Sequence, residues 1–461
     1  MQPFMSRNTI NVKLIRYLDD QGTSVPVVQL VRALQVDRNT VKKHIVELQS
    51  LIQRHFSANE MYLEYNEKTG ALFYRHPAIN LNKIMLILTD ESVLIRLVKS
   101  TFDGELHNLG EFNDLNFVSD STVKRYVKDL QSHLALFGIR YSSSSHELVG
   151  DEALVRLCYY RVYWETYSHF EWPFPKFSSA YVMKKVKGWL TKKRIHLEET
   201  TQLQIAYWWV INTQRQRQGH QIELSKEILE IRLNDQPIYH WMLPLVTGIQ
   251  EATFLGYCGL FFCTTMHVGE VQVSNSIQMA SQQLLCVLQK RLQQELNNDD
   301  TKNMLNQLNI IHSYSMVFPV GGLILERDTL LQAMKLERPR VVEELTETLE
   351  KLQKTGNLAF QNQEYLLTNL VPLVLGYFDM SLMNPVLHVF LALDSSPAYR
   401  FWFQQELQKN LIDQYRVIFV KKIIECDLVV SNLDISVKQP MVSINVPLNK
   451  RDWENLKTFQ F

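Results

Sequence analysis

The chain has 461 residues, too many for one hydrophobic core, so roughly three to five compact domains are expected. Its 48 basic and 48 acidic residues balance, which excludes a global field that draws the whole chain onto nucleic acid or membrane and leaves any polyanion contact local. Apolar residues at 46% and aromatics at 11% exclude a disordered chain. The first residues lack the apolar core of a signal peptide, and no uncharged apolar run approaches the ~18 residues of a membrane span. Cys158, Cys258, Cys263, Cys286 and Cys426 show neither a CxxC pair nor zinc spacing, and their apolar neighbours suit reduced, buried thiols. A cytoplasmic protein with no membrane partner, metal or cofactor is the expectation.

In chain order, TINVKLIRYLDDQ (9–21) places Ile10, Leu14, Ile15 and Leu18 on one helical stripe that stops at Gly22. In SVPVVQLVRALQV (24–36), Ser24 can cap a second helix, Pro26 suits its first turn, and Val27, Leu30, Val31 and Leu34 repeat at helical spacing. After a turn through Val36 and Asp37, DRNTVKKHIVELQSLI (37–52) buries Val41, Ile45, Leu48 and Leu51. That leaves Arg38, Asn39, Thr40, Lys42, Lys43 and His44 on or near the outer face. Two short helices joined by a tight turn, the second basic near its start, form the helix-turn-helix pattern. MYLEY (61–65), NEKTG (66–70) and ALFYR (71–75) then alternate as a hairpin where a wing belongs, with Lys68 in the turn and Gly70 at the bend. Residues 1–76 hold ten Lys/Arg against seven Asp/Glu, a local surplus that suits DNA. An ordinary solvated helix face is the competing reading of Lys42, Lys43 and His44.

The stretch NTVKKHIVELQS (39–50) returns as STVKRYVKDLQS (121–132), 82 residues later, which reads as duplication of a small domain. GEFNDLNF (110–117) is its supporting helix, and Val123, Val127, Leu130 and Leu134 keep the apolar register. Ser121, Thr122, Lys124, Arg125 and Lys128 form a second candidate DNA face. Residues 77–150, however, hold seven Lys/Arg against nine Asp/Glu, so this copy is either a weaker DNA-reading unit or a helical spacer.

From Gly150 to about Met383 apolar stripes recur at helical spacing, broken near the centre by NNDDTKN (297–303), which suggests two bundles. Residues 386–461 alternate apolar strands with helices, the pattern of a small, mostly parallel α/β sheet. No Gly-rich phosphate loop, HExxH or GxSxG signature points to an enzyme.

The duplicated helix-turn-helix units, the segment GDEALVRLCYYRVYW (150–164) followed by EWPFPKF (171–177), the paired bundles and the α/β tail together resemble the Mga/AtxA class of transcription regulators of Gram-positive bacteria. That resemblance implies a mainly α, multidomain chain. Its parts are a winged helix-turn-helix domain at 1–76, a second helix-turn-helix domain at 77–150, PTS regulation domains at 151–270 and 271–385, and an enzyme IIB-like α/β domain at 386–461. It implies a DNA-binding regulator of the global or virulence type, with double-stranded promoter DNA, a second copy of itself and phosphocarrier proteins of the phosphotransferase system as partners. An RNA-binding antiterminator with the same regulation domains is the alternative. His196, His220, His240, His267 and His312 are the candidate phosphorylated histidines. The loop after the first strand of the tail (394–400), where the resemblance would place a phosphoryl-carrying cysteine, holds Ser395 and Ser396 but no cysteine. The tail then serves self-association, through Phe401, Trp402, Phe403 and Leu407, whose aromatic area exceeds what one face of so small a sheet needs.

Overall fold

A computed structural model describes residues 9–90, 92–106, 108–135, 138–168, 171–262, 269–320, 327–379, 384–412 and 414–458. The chain divides into two compact units. One comprises Met1–Ala280, Asn306–Leu330 and Gly356–Leu366; the other comprises Ser281–Leu305, Leu331–Thr355 and Leu367–Phe461. The bundle expected over 271–385 is therefore shared between them.

The first unit opens with α1 (Thr9–Gln21), α2 (Val27–Leu34) and α3 (Arg38–His55), then the hairpin β1 (Met61–Asn66) and β2 (Gly70–Arg75), and α4 (Asn82–Asp90). Apolar stripes from all of these close one core, from Leu14 and Ile15 of α1 through Ile45 and Leu48 of α3 to Met85 and Leu88 of α4. Ser24 does not cap α2. Its hydroxyl donates to the carbonyl of Thr69 in the wing turn, and Pro26 stands at the cap position instead. Val25 exchanges backbone hydrogen bonds with Ala71 at 2.8 and 2.9 Å, so the wing is sewn to the entrance of α2. At Gly70 this approach leaves no room for a side chain. Its φ is +98°, and a Cβ would lie 2.0 Å from the carbonyl oxygen of Val25.

The second copy comprises α5 (Val93–Asp103), α6 (Leu109–Leu115), α7 (Asp120–Ala135) and a hairpin, β3 (Arg140–Ser142) with β4 (Glu147–Val149). Both α6 and α7 begin 82 residues after α2 and α3. This second wing was not legible in the sequence. Tyr126 turns inward on α7, while Val127, expected inside, is only half-buried.

The second copy rests on α8 (Glu152–Tyr167) and α10 (Glu199–Arg217), between which α9 (Ser179–Lys193) runs in sequence. Both α8 and the Ile205–Arg215 part of α10 are buried on nearly every side, with apolar side chains and arginines alike enclosed. Trp208 of α10 stacks on Tyr160 of α8 with ring centroids 4.2 Å apart. Phe102 of α5 packs at 5.0 Å from both Tyr159 and Tyr163. The side-chain amides of Gln214 on α10 and of Gln218, just past its end, both donate to the Phe102 backbone carbonyl. A buried ionic cluster holds the same region. The Arg156 guanidinium reaches Glu152 at 2.8 Å and Glu251 at 2.9 Å, and Arg215 reaches Glu152 at 2.7 Å. Burial alone would raise the Glu152 carboxyl, but Arg215 and Arg156 outweigh it and hold the group below its usual range.

Next come α11 (Lys226–Leu229), β5 (Arg232–Leu233), β6 (Gln236–Pro237), α12 (Tyr239–Met242), α13 (Ile249–Gly256), a π-helical turn over Tyr257–Phe262, and β7 (Val271–Gln272). The three short strands form an antiparallel sheet, an interruption of the expected all-helical middle. After them run α14 (Asn275–Leu292), α15 (Asn298–Val317), α16 (Arg327–Glu337), α17 (Pro339–Gln353) and α18 (Gln363–Tyr377). The polar NNDDTKN is the start of α15 rather than a break, because the Asn297 side chain caps it by accepting from the Asp300 N–H at 2.8 Å. Cys158, Cys258 and Cys426 are buried as expected, Cys286 on α14 is exposed, and Cys263 lies outside the described residues.

In the second unit, β8 (Val386–Ala392), α19 (Pro397–Leu411), β9 (Arg416–Phe419), β10 (Leu428–Ser431), β11 (Met441–Ser443) and α20 (Lys450–Thr458) form a four-stranded sheet in the order β11-β10-β8-β9, parallel at every pairing. Phe403 and Leu407 of α19 lie in its core, fully buried. The apolar surface expected of α19 therefore reduces to Phe401, 65% exposed, and Trp402, 46% exposed.

Candidate nucleic-acid interface

The first turn of α3 is fixed by Asp37, whose carboxylate accepts from the backbone N–H groups of Asn39 and Thr40 and from the Thr40 hydroxyl. These bonds, the Thr40 hydroxyl foremost, keep the Asp37 carboxyl below its usual range. They also occupy Thr40, which acts as part of the cap and not as a free contact. Arg38, Asn39 and Lys43 project into solvent. Lys43 has only a loose pair with Glu47 one turn on, at 3.8 Å. His44 is withdrawn from the face. Its Nδ1 lies 2.7 Å from Asn11 Oδ1, and burial pushes its pKa down against the opposing pull of Glu47, so it carries no cation to the surface. Lys42 is half-covered, with its ammonium 2.5 Å from Glu67 in the wing turn. Lys68, beside Glu67, is exposed, and its N–H donates to Asn66 Oδ1 at 2.8 Å in a tight turn.

On α7, Ser119 stands at the cap position, with its hydroxyl 2.9 Å from Thr122 Oγ1 and 3.0 Å from Ser121 Oγ. Lys124, Arg125 and Lys128 are exposed. Lys124 pairs loosely with Asp120 at 3.7 Å, and Arg125 lies over the ring of Tyr126.

A shared device joins helix to wing in both copies. The Gln49 side chain donates to the Leu63 carbonyl of β1 at 3.0 Å, and the Gln131 side chain accepts from the Tyr141 N–H of β3 at 2.9 Å. These two glutamines are the same position of the repeated dodecapeptide. Its invariance gave a sign of them, but not of their task.

Each copy thus presents exposed basic side chains within the first two turns of a helix beside a hairpin, Arg38 and Lys43 on α3 and Lys124 and Arg125 on α7, where Asp120 makes the first turn itself acidic. Residues 77–163 match the model of the Mga helix-turn-helix domain. Over that stretch the chain is similar to an Mga-type helix-turn-helix domain. The matched Mga segment takes in α4, the second copy and most of α8, which agrees with the way α5 shares its packing with α8. A relative in Bacillus anthracis, the capsule synthesis positive regulator AcpA, is 17% identical over 219 residues, 48% of this chain and 44% of AcpA. The matched region is less than half the length of that relative.

The candidate histidines are scattered. His196 is exposed in the turn between α9 and α10, beside a hollow of about 560 Å³ that Lys187, Arg194 and Gln202 also line. His220 is half-buried, 3.4 Å from Glu147 of the second wing. His240 is exposed on α12. His312 is fully buried on α15, edge-on to Phe360, and burial pushes its pKa down to about 3. A carrier protein cannot reach a ring so placed without opening the helix. His267 lies outside the described residues. Among the described residues no helix is long and apolar enough to cross a membrane.

Proposed function

We propose that this protein is a cytoplasmic, DNA-binding transcription regulator that docks α3, and more weakly α7, in the major groove of promoter DNA. The observation that carries this reading is the exposed start of α3, with Arg38 and Asn39 in the first turn and Lys43 in the second free of strong pairing beside a wing turn that holds Lys68. The Mga match over the second copy supports it. Helix N-termini approach base edges, so Arg38 and Asn39 would bear on sequence preference, and Lys43 and Lys68 on phosphate affinity. The second copy, with Ser121, Lys124, Arg125 and Lys128, would take a neighbouring stretch of the same duplex. The five-domain division then gives residues 151–385 the role of sensing, with the exposed His196 and His240 as acceptors for phosphotransferase carriers. Residues 386–461 would pair two chains through Phe401 and Trp402, bringing four helix-turn-helix units to one site. Titration of the full chain with duplex DNA and with an RNA hairpin, across salt, tests the reading. Lys43→Ala with Lys68→Ala should weaken duplex binding and flatten the log–log salt slope by about 0.9 per lost phosphate contact. Preference for the RNA hairpin would reject it in favour of the antiterminator alternative.

A further inference from the structure

The wing turn of the first copy carries a carboxylate, Glu67, on the side that the DNA-binding reading turns to the duplex. It is engaged with Lys42 at 2.5 Å, and the Lys42 ammonium also lies 5.9 Å over the ring of Tyr65. The hydrogen bond from Lys42 lowers the Glu67 carboxyl, and the same bond raises the Lys42 ammonium, so both stay charged. Lys42 is consequently the inner of two adjacent lysines, its side chain 31% exposed against 72% for Lys43. The second copy lacks this arrangement. Lys124 pairs with Asp120 of its own helix, and the turn SSSSH (142–146) contains no carboxylate.

A carboxylate beside polyanionic DNA repels phosphate, and its partner lysine neutralises none while the pair holds. We propose that Glu67 is a discriminating residue of the interface. It holds Lys42 on the wing and withholds that cation from sequence-independent phosphate contact, releasing it only where a fitted duplex displaces the carboxylate. Discrimination of this kind comes from a built-in repulsion that weakens the wrong complexes more than the right one. The competing role, a strut that braces the wing for binding, predicts the opposite effect of removing the charge.

This inference rests on the DNA-binding reading and separates from it experimentally. The full-length protein and its Glu67→Gln, Lys42→Ala and doubly substituted forms are titrated against a random-sequence duplex of about 30 bp, by fluorescence anisotropy at about 50 to 200 mM salt. Glu67→Gln should tighten binding about 5- to 10-fold at the lowest salt and steepen the log–log slope by about 0.9, the signature of one added phosphate contact. Adding Lys42→Ala should abolish the gain. Unchanged or weaker binding by Glu67→Gln, in a protein whose wild-type form does bind the duplex, overturns the proposal alone and favours the strut. A wild-type chain that binds no duplex at any salt overturns the DNA-binding reading, and this proposal with it.

Discussion

The two helix-turn-helix copies share a plan and differ in what supports them. The first closes its own core, from α1 to α4. Its opening helix ends in Asp19, half-buried against Arg75, and the exposed Asp20. In the second, the corresponding helix α5 ends in Thr101 and Phe102, both fully buried, with Thr101 Oγ1 3.2 Å from the Tyr159 hydroxyl and Phe102 among the rings of α8. The second wing is tied as well, through Glu147 to His220. One copy closes its own core and meets α8 through α4, whose Asp90 accepts from the Tyr167 hydroxyl; the other is a face of a larger body. The same motif can thus be an independent domain or a part, depending on a few residues at the end of one helix.

Paired substitutions sharpen this contrast. Phe102→Ala should cost about 3–5 kcal/mol and Leu14→Ala about 2–5 kcal/mol, as buried side chains replaced by cavities. The difference should show in hydrogen exchange. Leu14→Ala should loosen the amides of α1 to α4 only, whereas Phe102→Ala should loosen α8 and α10 together with α5. A footprint of Phe102→Ala confined to residues 93–149 would break the comparison.

Gln49→Ala and Gln131→Ala should each cost about 1 kcal/mol, and both should speed exchange in the adjoining wing, because each removes one helix-to-wing hydrogen bond. A stability loss from only one of them would mean that the two wings are held differently.

The smallest effect concerns Asp103, at the end of α5. Burial, aided by Glu105, pushes its carboxyl up to about 6, against Lys176 and Lys99. Its folded pKa lies above the unfolded value, so the ionised group weakens the folded state above about pH 6, and that penalty fades as pH falls towards about 4. Asp103→Asn should therefore raise Tm by on the order of 1–2 °C at neutral pH, with the gain vanishing near pH 4. A gain that persists in acid would place the effect elsewhere.

Strongly amphipathic elements were legible from sequence to within a residue or two, among them α1, α3 and the first wing; α19 was legible in its bounds but not in its buried face. The second wing was not, because three-residue strands around a serine-rich turn show no alternation. The two-residue strands β5, β6 and β7 escaped for the same reason. In the interface, the exposure of Arg38, Asn39 and Lys43 was legible because they stand off the apolar stripe of Val41, Ile45 and Leu48. Lys42 and His44 were not, since their partners Glu67 and Asn11 lie 25 and 33 residues away in sequence. Phe403 and Leu407 were misjudged as surface because α19 is apolar on several sides, and periodicity alone does not say which side the sheet covers. The repeated dodecapeptide was legible as a repeat, but the structural tasks of most of its identical positions were not. Val41 and Val123, with Leu48 and Leu130, are core, the two glutamines tie the wings, and Thr40 and Thr122 serve the caps. Most of the identity between copies thus serves folding, with Lys42 and Lys124 the charged pair among the identical positions.

The self-contained core of the first copy also has a consequence in time. Its last core side chain is Leu88, whereas the second copy needs α10, which ends at Arg217. On a ribosome adding about 5–20 residues per second, the intervening stretch takes roughly 6–25 s to make. During that interval the core of the first copy is complete on the nascent chain, with the contact of α4 with α8 still to form, while the second, its Phe102 side chain still uncovered, waits for its supporting helices to emerge.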